Sequence, residues 1–149
     1  MDRLTNNFHY LNNYIGESKV LAVVKANAYG HGAIKVAQKL ENVGVDGLCV
    51  AMAEELVELR QTKISVPILH LGVLNKKNID LYESKNNICT INSSNDIDLI
   101  NDFLKGTNKK IKIGIRMAIN EEPQSSYYTS RMGIRPAEII DFYKVIYIV

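Results

Sequence analysis

The chain lacks several features that would announce a function class at once. Its apolar runs, such as Val20 to Val24 and Val145 to Val149, fall far short of the roughly 20 residues needed to cross a bilayer, which argues against a membrane span. The opening residues Met1-Asp2-Arg3-Leu4-Thr5-Asn6-Asn7 are polar where a secretory signal needs an apolar segment, so a cytoplasmic location is expected. No excess of one charge exists: 18 basic residues face 16 acidic ones, for a net charge of +2. That balance does not supply the basic surface that nucleic acids require, and it suits a small neutral or anionic ligand better. The two cysteines, Cys49 and Cys89, lie in separate apolar runs without C-x-x-C spacing, so both read as small buried hydrophobes. No Walker-type glycine loop is found, and no histidine or cysteine spacing suits zinc, so no metal is expected. No linker rich in proline, glycine or serine divides the 149 residues, of which 46% are hydrophobic, enough to bury one core.

What is present is a repeated alternation. Leu4, Phe8, Leu11 and Ile15 recur at helical spacing up to Gly16, which predicts an amphipathic first helix. Val20-Leu-Ala-Val-Val24 reads as a parallel strand covered on both faces. Ala33, Val36, Ala37 and Leu40 mark a second helix that closes near Gly44. The same unit recurs in Gly47 to Ala51 followed by Leu56, Val57 and Leu59, and in Pro67 to Leu71 followed by a polar helix near Asn78 to Ser84. Ile88 to Ile91 precedes a helix capped by Ser94 or Asn95, and Ile111 to Ile115 precedes Pro136, which suits the first position of a last helix. Five strand-helix units imply an α/β fold with a parallel sheet. The pattern alone leaves open a doubly wound sheet or the first part of an eight-unit barrel. Either way, chemistry belongs in the loops after Val24, Ala51, Leu71, Ile91 and Met117, at the carboxyl ends of the strands.

The most informative of these loops carries Lys25. A lysine at the end of an apolar strand is partly desolvated, which favours its neutral, nucleophilic amine and hence Schiff-base chemistry. Gly30 and Gly32 allow unusual backbone angles there, and Tyr29 adds a hydroxyl at the same rim. His31 is explained by packing and capping, and His70 as a satisfied core histidine. Glu54, Glu55 and Glu58 fall in the first turns of a helix, where carboxylates favour the positive end of its dipole.

The run Ala22-Val-Val-Lys-Ala-Asn-Ala-Tyr-Gly-His-Gly32 closely resembles the cofactor-lysine signature of the alanine racemase family. The likeness continues through Gly44-Val-Asp-Gly47, Val50-Ala51, Glu54-Glu55, Glu58-Leu-Arg60, Pro67-Ile-Leu69 and Leu71-Gly72. It implies a (β/α)8 barrel of TIM type that binds pyridoxal 5'-phosphate, followed by a β-rich domain, and the interconversion of L- and D-alanine that serves D-alanine biosynthesis. In that frame residues 1–149 are the N-terminal part of the barrel, with about five of its units and no β domain. Lys25 is then the cofactor lysine and one of two catalytic bases, and Tyr29 bonds the cofactor phosphate. The second base is a tyrosine from the partner subunit of a homodimer.

Ser130-Arg-Met-Gly133 resembles the family's arginine segment, so Arg131 is expected to donate to the cofactor's phenolic oxygen, as a permanently charged fork of donors can. Between strand and arginine the sequence departs from the family: Arg116 stands where the family has lysine, the Asp-Thr-Gly is absent, and a polar loop from Asn120 to Ser130 intervenes. A barrel of about 250 residues needs three more units, so these 149 residues alone are expected to be inactive. The alternative readings are a non-catalytic barrel carrying the same cofactor, or a racemase or decarboxylase relative acting on another amino acid.

Overall fold

A computed structural model of the chain describes residues 2–84, 86–118 and 133–146. Helix α1 (Asp2–Ile15) is followed by β1 (Leu21–Val23), a single turn α2 (Lys25–Tyr29), α3 (Ala33–Asn42), β2 (Gly47–Val50), α4 (Ala53–Gln61) and β3 (Ile68–His70). A 3-10 turn (Ile79–Glu83), β4 (Asn87–Ile91), α5 (Ser94–Leu104), β5 (Lys112–Ile115), a second 3-10 turn (Pro136–Glu138) and α6 (Ile139–Ile146) complete the order. The five strands form one sheet in the order β1-β2-β3-β4-β5, with β1, β2 and β3 paired in parallel. Strands that are neighbours in sequence are neighbours in space throughout. A doubly wound sheet reverses its order at a switch point, whereas a (β/α) barrel adds each strand beside the last, so the topology settles the choice in favour of a partial barrel.

Two compact units make up the chain, one formed by Met1–Gly72 with Asn86–Ile88 and the other by Val73–Lys85 with Cys89–Val149. In the first, α3 buries Ala33, Val36, Ala37 and Leu40 along one stripe and α4 buries Leu56 and Leu59. Helix α4 packs on β2 and β3, where Leu48 and Ile68 are fully buried, and α3 packs against α4. Arg60, at the end of α4, ties the connection to β3 by donating to the carbonyls of Ile64 (2.7 Å), Val66 (2.9 Å) and Asn86 (2.8 Å) and to Asn87 Oδ1 (2.8 Å). From the other side Glu41 accepts the backbone N–H groups of Ser65 and Val66 and the Ser65 hydroxyl.

Three local expectations need correction. Strand β1 is covered on one face only: Val24 is buried, but Leu21 and Val23 are 48% and 43% exposed. They belong to the row that continues through Cys49 and Leu69, opposite the helices, and that row is the inward face of a barrel wall. The segment after Leu71 forms a 3-10 turn rather than an α-helix. Asn75 and Asn78 bond the backbone locally, and a 3-10 turn brings Ile79 and Tyr82, three apart, onto one edge where both are buried. Helix α5 is preceded by Ser93, not capped by Ser94 or Asn95. Asp96 Oδ2 reaches back to accept the N–H groups of Asn92 (2.8 Å) and Ser93 (3.0 Å). In the second unit β5 follows β4 through a bond from Arg116 N–H to the Ile91 carbonyl (2.9 Å). Cys49 and Cys89 are buried and unpaired, as their apolar settings imply.

Candidate active site

The turn after β1 is built against the preference of its own residues. Ala26, Asn27, Ala28 and Tyr29 all have φ between 51 and 55°, so α2 is one turn of left-handed helix. That conformation costs L-residues roughly 1–2 kcal/mol each, and it persists only where surrounding contacts over-determine it.

Those contacts account for the motif residue by residue. The Ala28 N–H donates to the Val24 carbonyl (2.9 Å), and the N–H groups of Gly30 and Gly32 both reach the Asn27 carbonyl at 3.0 Å. Asn27, whose short polar side chain tolerates left-handed angles, accepts the Ala33 N–H on Oδ1 (2.8 Å) and so caps α3. His31 Nδ1 bonds the Ala28 carbonyl (2.9 Å). Gly30 and Gly32 sit at φ 86 and 91°, where a side chain would add further strain. The small residues at 26 and 28 minimise the crowding that a left-handed turn imposes on Cβ. Lys25, half-buried, is the first residue of this turn and Tyr29, exposed, its last. The amine and the phenol therefore share one rim at the carboxyl end of β1.

A second layer fixes the turn to its neighbours. The Ala26 N–H donates to Glu55 Oε1 at 2.6 Å, while Glu55 Oε2 accepts Ala51 N–H (2.9 Å) and Met52 N–H (3.0 Å). Burial pushes the Glu55 carboxyl up, but the three N–H bonds and nearby His70 outweigh it, leaving its pKa below the usual range. His70, only 2% exposed, donates from its ring to the Ala51 carbonyl; burial holds its pKa below the ordinary value despite that bond and the carboxylates of Glu54 and Glu55. A Cβ on Gly72 would fall on the Ala51 carbonyl oxygen and within 2.6 Å of His70 Nε2, so only glycine fits there. The ends of β1, β2 and β3 are thus joined through Glu55, Ala51 and His70.

His70 is a satisfied core histidine, as its place in an apolar strand suggested. Glu55 does more than complement a helix dipole. The signal was available, because a glutamate at the third helical position is the residue type that reaches back to the N–H groups before a helix. Arg131 lies outside the described residues, while Gly133 of the same segment has φ 114° and would place a Cβ 2.9 Å from the Arg116 carbonyl. Arg116 itself is exposed, with its backbone engaged by Ile91 and Ile134. Among the described residues no cluster of His, Cys, Asp and Glu is arranged to hold a metal.

The arrangement suits pyridoxal phosphate: a primary amine and a phenol on one turn, next to an apolar row of Val23, Cys49 and Leu69.

Comparison with known proteins follows the same line. The profile described as "Alanine racemase, N-terminal domain" matches residues 1–147. The alanine racemase of Clostridium kluyveri is 33% identical over 117 residues, 78% of this chain and 30% of that protein. That of Xylella fastidiosa (strain 9a5c) is 45% identical over 95 residues, 63% of this chain and 25% of its own length. Among solved structures, the alanine racemase of Clostridium difficile 630 in complex with cycloserine superposes with a TM-score of 0.82 at 32% identity, covering 97% of this chain and 39% of the other. The chain therefore spans well under half the length of the relatives it matches.

Proposed function

From the premise that the chain belongs to the family of alanine racemase N-terminal domains, we propose that it is the lysine-bearing part of a pyridoxal-phosphate-dependent racemase acting on alanine. The observation that carries this reading is the left-handed turn that opens on Lys25 and closes on Tyr29 at the carboxyl end of β1. Racemisation requires removal of a proton from one face of Cα and its return to the other. Pyridoxal phosphate, when bound, supplies the electron sink for the pair left on Cα.

Lys25 holds the cofactor, and its Nζ takes or returns the proton on one face. Tyr29 directs its hydroxyl to the cofactor phosphate, and Arg131 is assigned to the phenolic oxygen by its match to the family's arginine segment. The Val23, Cys49 and Leu69 row offers the ring an apolar surface to lie against. The base for the opposite face is taken from the part of the relatives that these 149 residues do not span, and a homodimer that supplies it belongs to the same proposal. A related structure described as a complex with cycloserine, a small amino-acid-like molecule, supports a substrate of alanine's size.

Exchange of the alanine Cα proton in deuterated water, followed by NMR with added cofactor, tests the reading. The protein, which holds the base for one face only, is expected to exchange this proton without racemising alanine, and the Lys25→Ala variant to fail to exchange it. Exchange that survives Lys25→Ala would remove Lys25 from the chemistry.

A further inference from the structure

The Lys25 turn is anchored to the neighbouring strand end by the side chain of Glu55, and that side chain has more capacity than its own helix uses. Glu55 is the third residue of α4, and Asp96 is the third residue of α5. Each reaches back to the two N–H groups that end the preceding strand and open the helix. Asp96 does so with a single oxygen, Oδ2, which accepts both Asn92 and Ser93. Glu55 likewise serves both Ala51 and Met52 with Oε2 alone. Capping therefore leaves Oε1 free, and Oε1 accepts the Ala26 N–H at 2.6 Å, the shortest of the three bonds. Ala26 adjoins Lys25 and is the first residue with left-handed angles.

We propose that Glu55 is a positioning residue for Lys25: its second carboxylate oxygen anchors the left-handed turn to the end of β2 and so fixes where the lysine amine stands. The inference rests on the reading of Lys25 as the cofactor lysine. A turn whose residues oppose their own conformation relaxes when its anchor is cut, and the amine moves with it. Placement of a reacting group matters steeply, because a misplacement of about 1 Å can cost on the order of a hundredfold in rate.

The chain itself suggests the separating variant. Aspartate at the third helical position suffices for a cap, as Asp96 shows, but it is one methylene shorter. Glu55→Asp keeps the charge and the bonds to Ala51 and Met52 while giving up the bond to Ala26. Glu55→Gln is the second variant: it has the length but only one oxygen, which the two N–H groups of Ala51 and Met52 claim.

The test has two arms. Amide hydrogen exchange, without cofactor, is expected to show the Ala26 N–H exchanging roughly ten- to a hundredfold faster in both variants, the range a charge-assisted bond represents, with Ala51 and Met52 unchanged in Glu55→Asp, which keeps the charge. Borohydride trapping with pyridoxal phosphate is expected to label Lys25 at least tenfold more slowly in both variants than in the unaltered protein. A role confined to the helix cap predicts instead that Glu55→Asp is silent in both arms. Unchanged Ala26 exchange, or released Ala26 with trapping at the original rate, overturns the assignment of Glu55 alone. Failure of the unaltered protein to trap cofactor at Lys25 overturns the functional reading and this inference with it.

Discussion

Gly72→Ala is expected to destabilise the protein by about 2–3 kcal/mol, the upper part of the range of about 1–3 kcal/mol usual for overpacking. The glycine has no positive φ to satisfy, so its requirement is purely spatial. The added methyl would overlap the Ala51 carbonyl oxygen and lie 2.6 Å from His70 Nε2. Neither neighbour yields easily. The backbone of Ala51 is held by Glu55, the Leu71 N–H holds Val50 at 2.8 Å, and the His70 ring is enclosed in the core. Relief by rotating His70 would break its bond to Ala51, at a net cost of about 1 kcal/mol. Gly44→Ala provides the contrast: nothing lies within 4 Å of its added Cβ, but φ is +91°, so the cost is conformational and about 1 kcal/mol. Urea unfolding at neutral pH, followed by circular dichroism, measures both. A Gly72→Ala protein within 0.5 kcal/mol of the parent (roughly the scatter of neutral surface changes) would refute the claim that Ala51 and His70 form a rigid frame.

Arg60→Ala, which removes four bonds holding the connection into β3, is expected to cost about 3 kcal/mol in the same assay, because hydrogen bonds from charged donors are the stronger kind but do not add fully. Arg60→Lys should recover less than half of that, since a single ammonium cannot reproduce the planar fork. Stability should fall on acidification in two stages. His70 has a lowered folded pKa, so the unfolded chain takes up its proton first and stability begins to drop below the ordinary histidine value of about 6.5. Glu55 and Glu41 are held below the carboxylate range, so their contribution is present above about pH 4.3 and is lost as pH falls through their folded values. Unfolding midpoints measured across pH, with His70→Phe expected to flatten only the upper stage, check both signs.

The architecture was legible in sequence wherever one local pattern sufficed. The stripe Ala33, Val36, Ala37 and Leu40 identified α3 and its buried face, and Gly16 and Gly44, both at positive φ, stand where helices stop. The position of Lys25 at a strand end followed from the apolar run before it. What escaped was set by partners distant in the chain. Ala26 and Ala28 carry no local signal for a left-handed turn, Asn27 alone is of a type that tolerates one, and the bond that anchors the turn comes from Glu55, 29 residues from Ala26. The exposure of Leu21 and Val23 was likewise invisible, because an apolar run of parallel-strand type looks the same whether one face or both are covered. Ser93 was passed over as the residue before α5 because Ser94 and Asn95 are equally good capping types, and only the reach of Asp96 distinguishes them.

The account turns on Lys25 as the residue that binds pyridoxal phosphate. The measurement closest to that claim is borohydride reduction of the cofactor-treated protein followed by peptide mapping, which reads the attachment site without requiring turnover. A pyridoxyl group on the peptide bearing Lys25, abolished by Lys25→Ala, is the predicted result. A pyridoxyl group on another lysine such as Lys35 or Lys63, with Lys25 unlabelled, would contradict it.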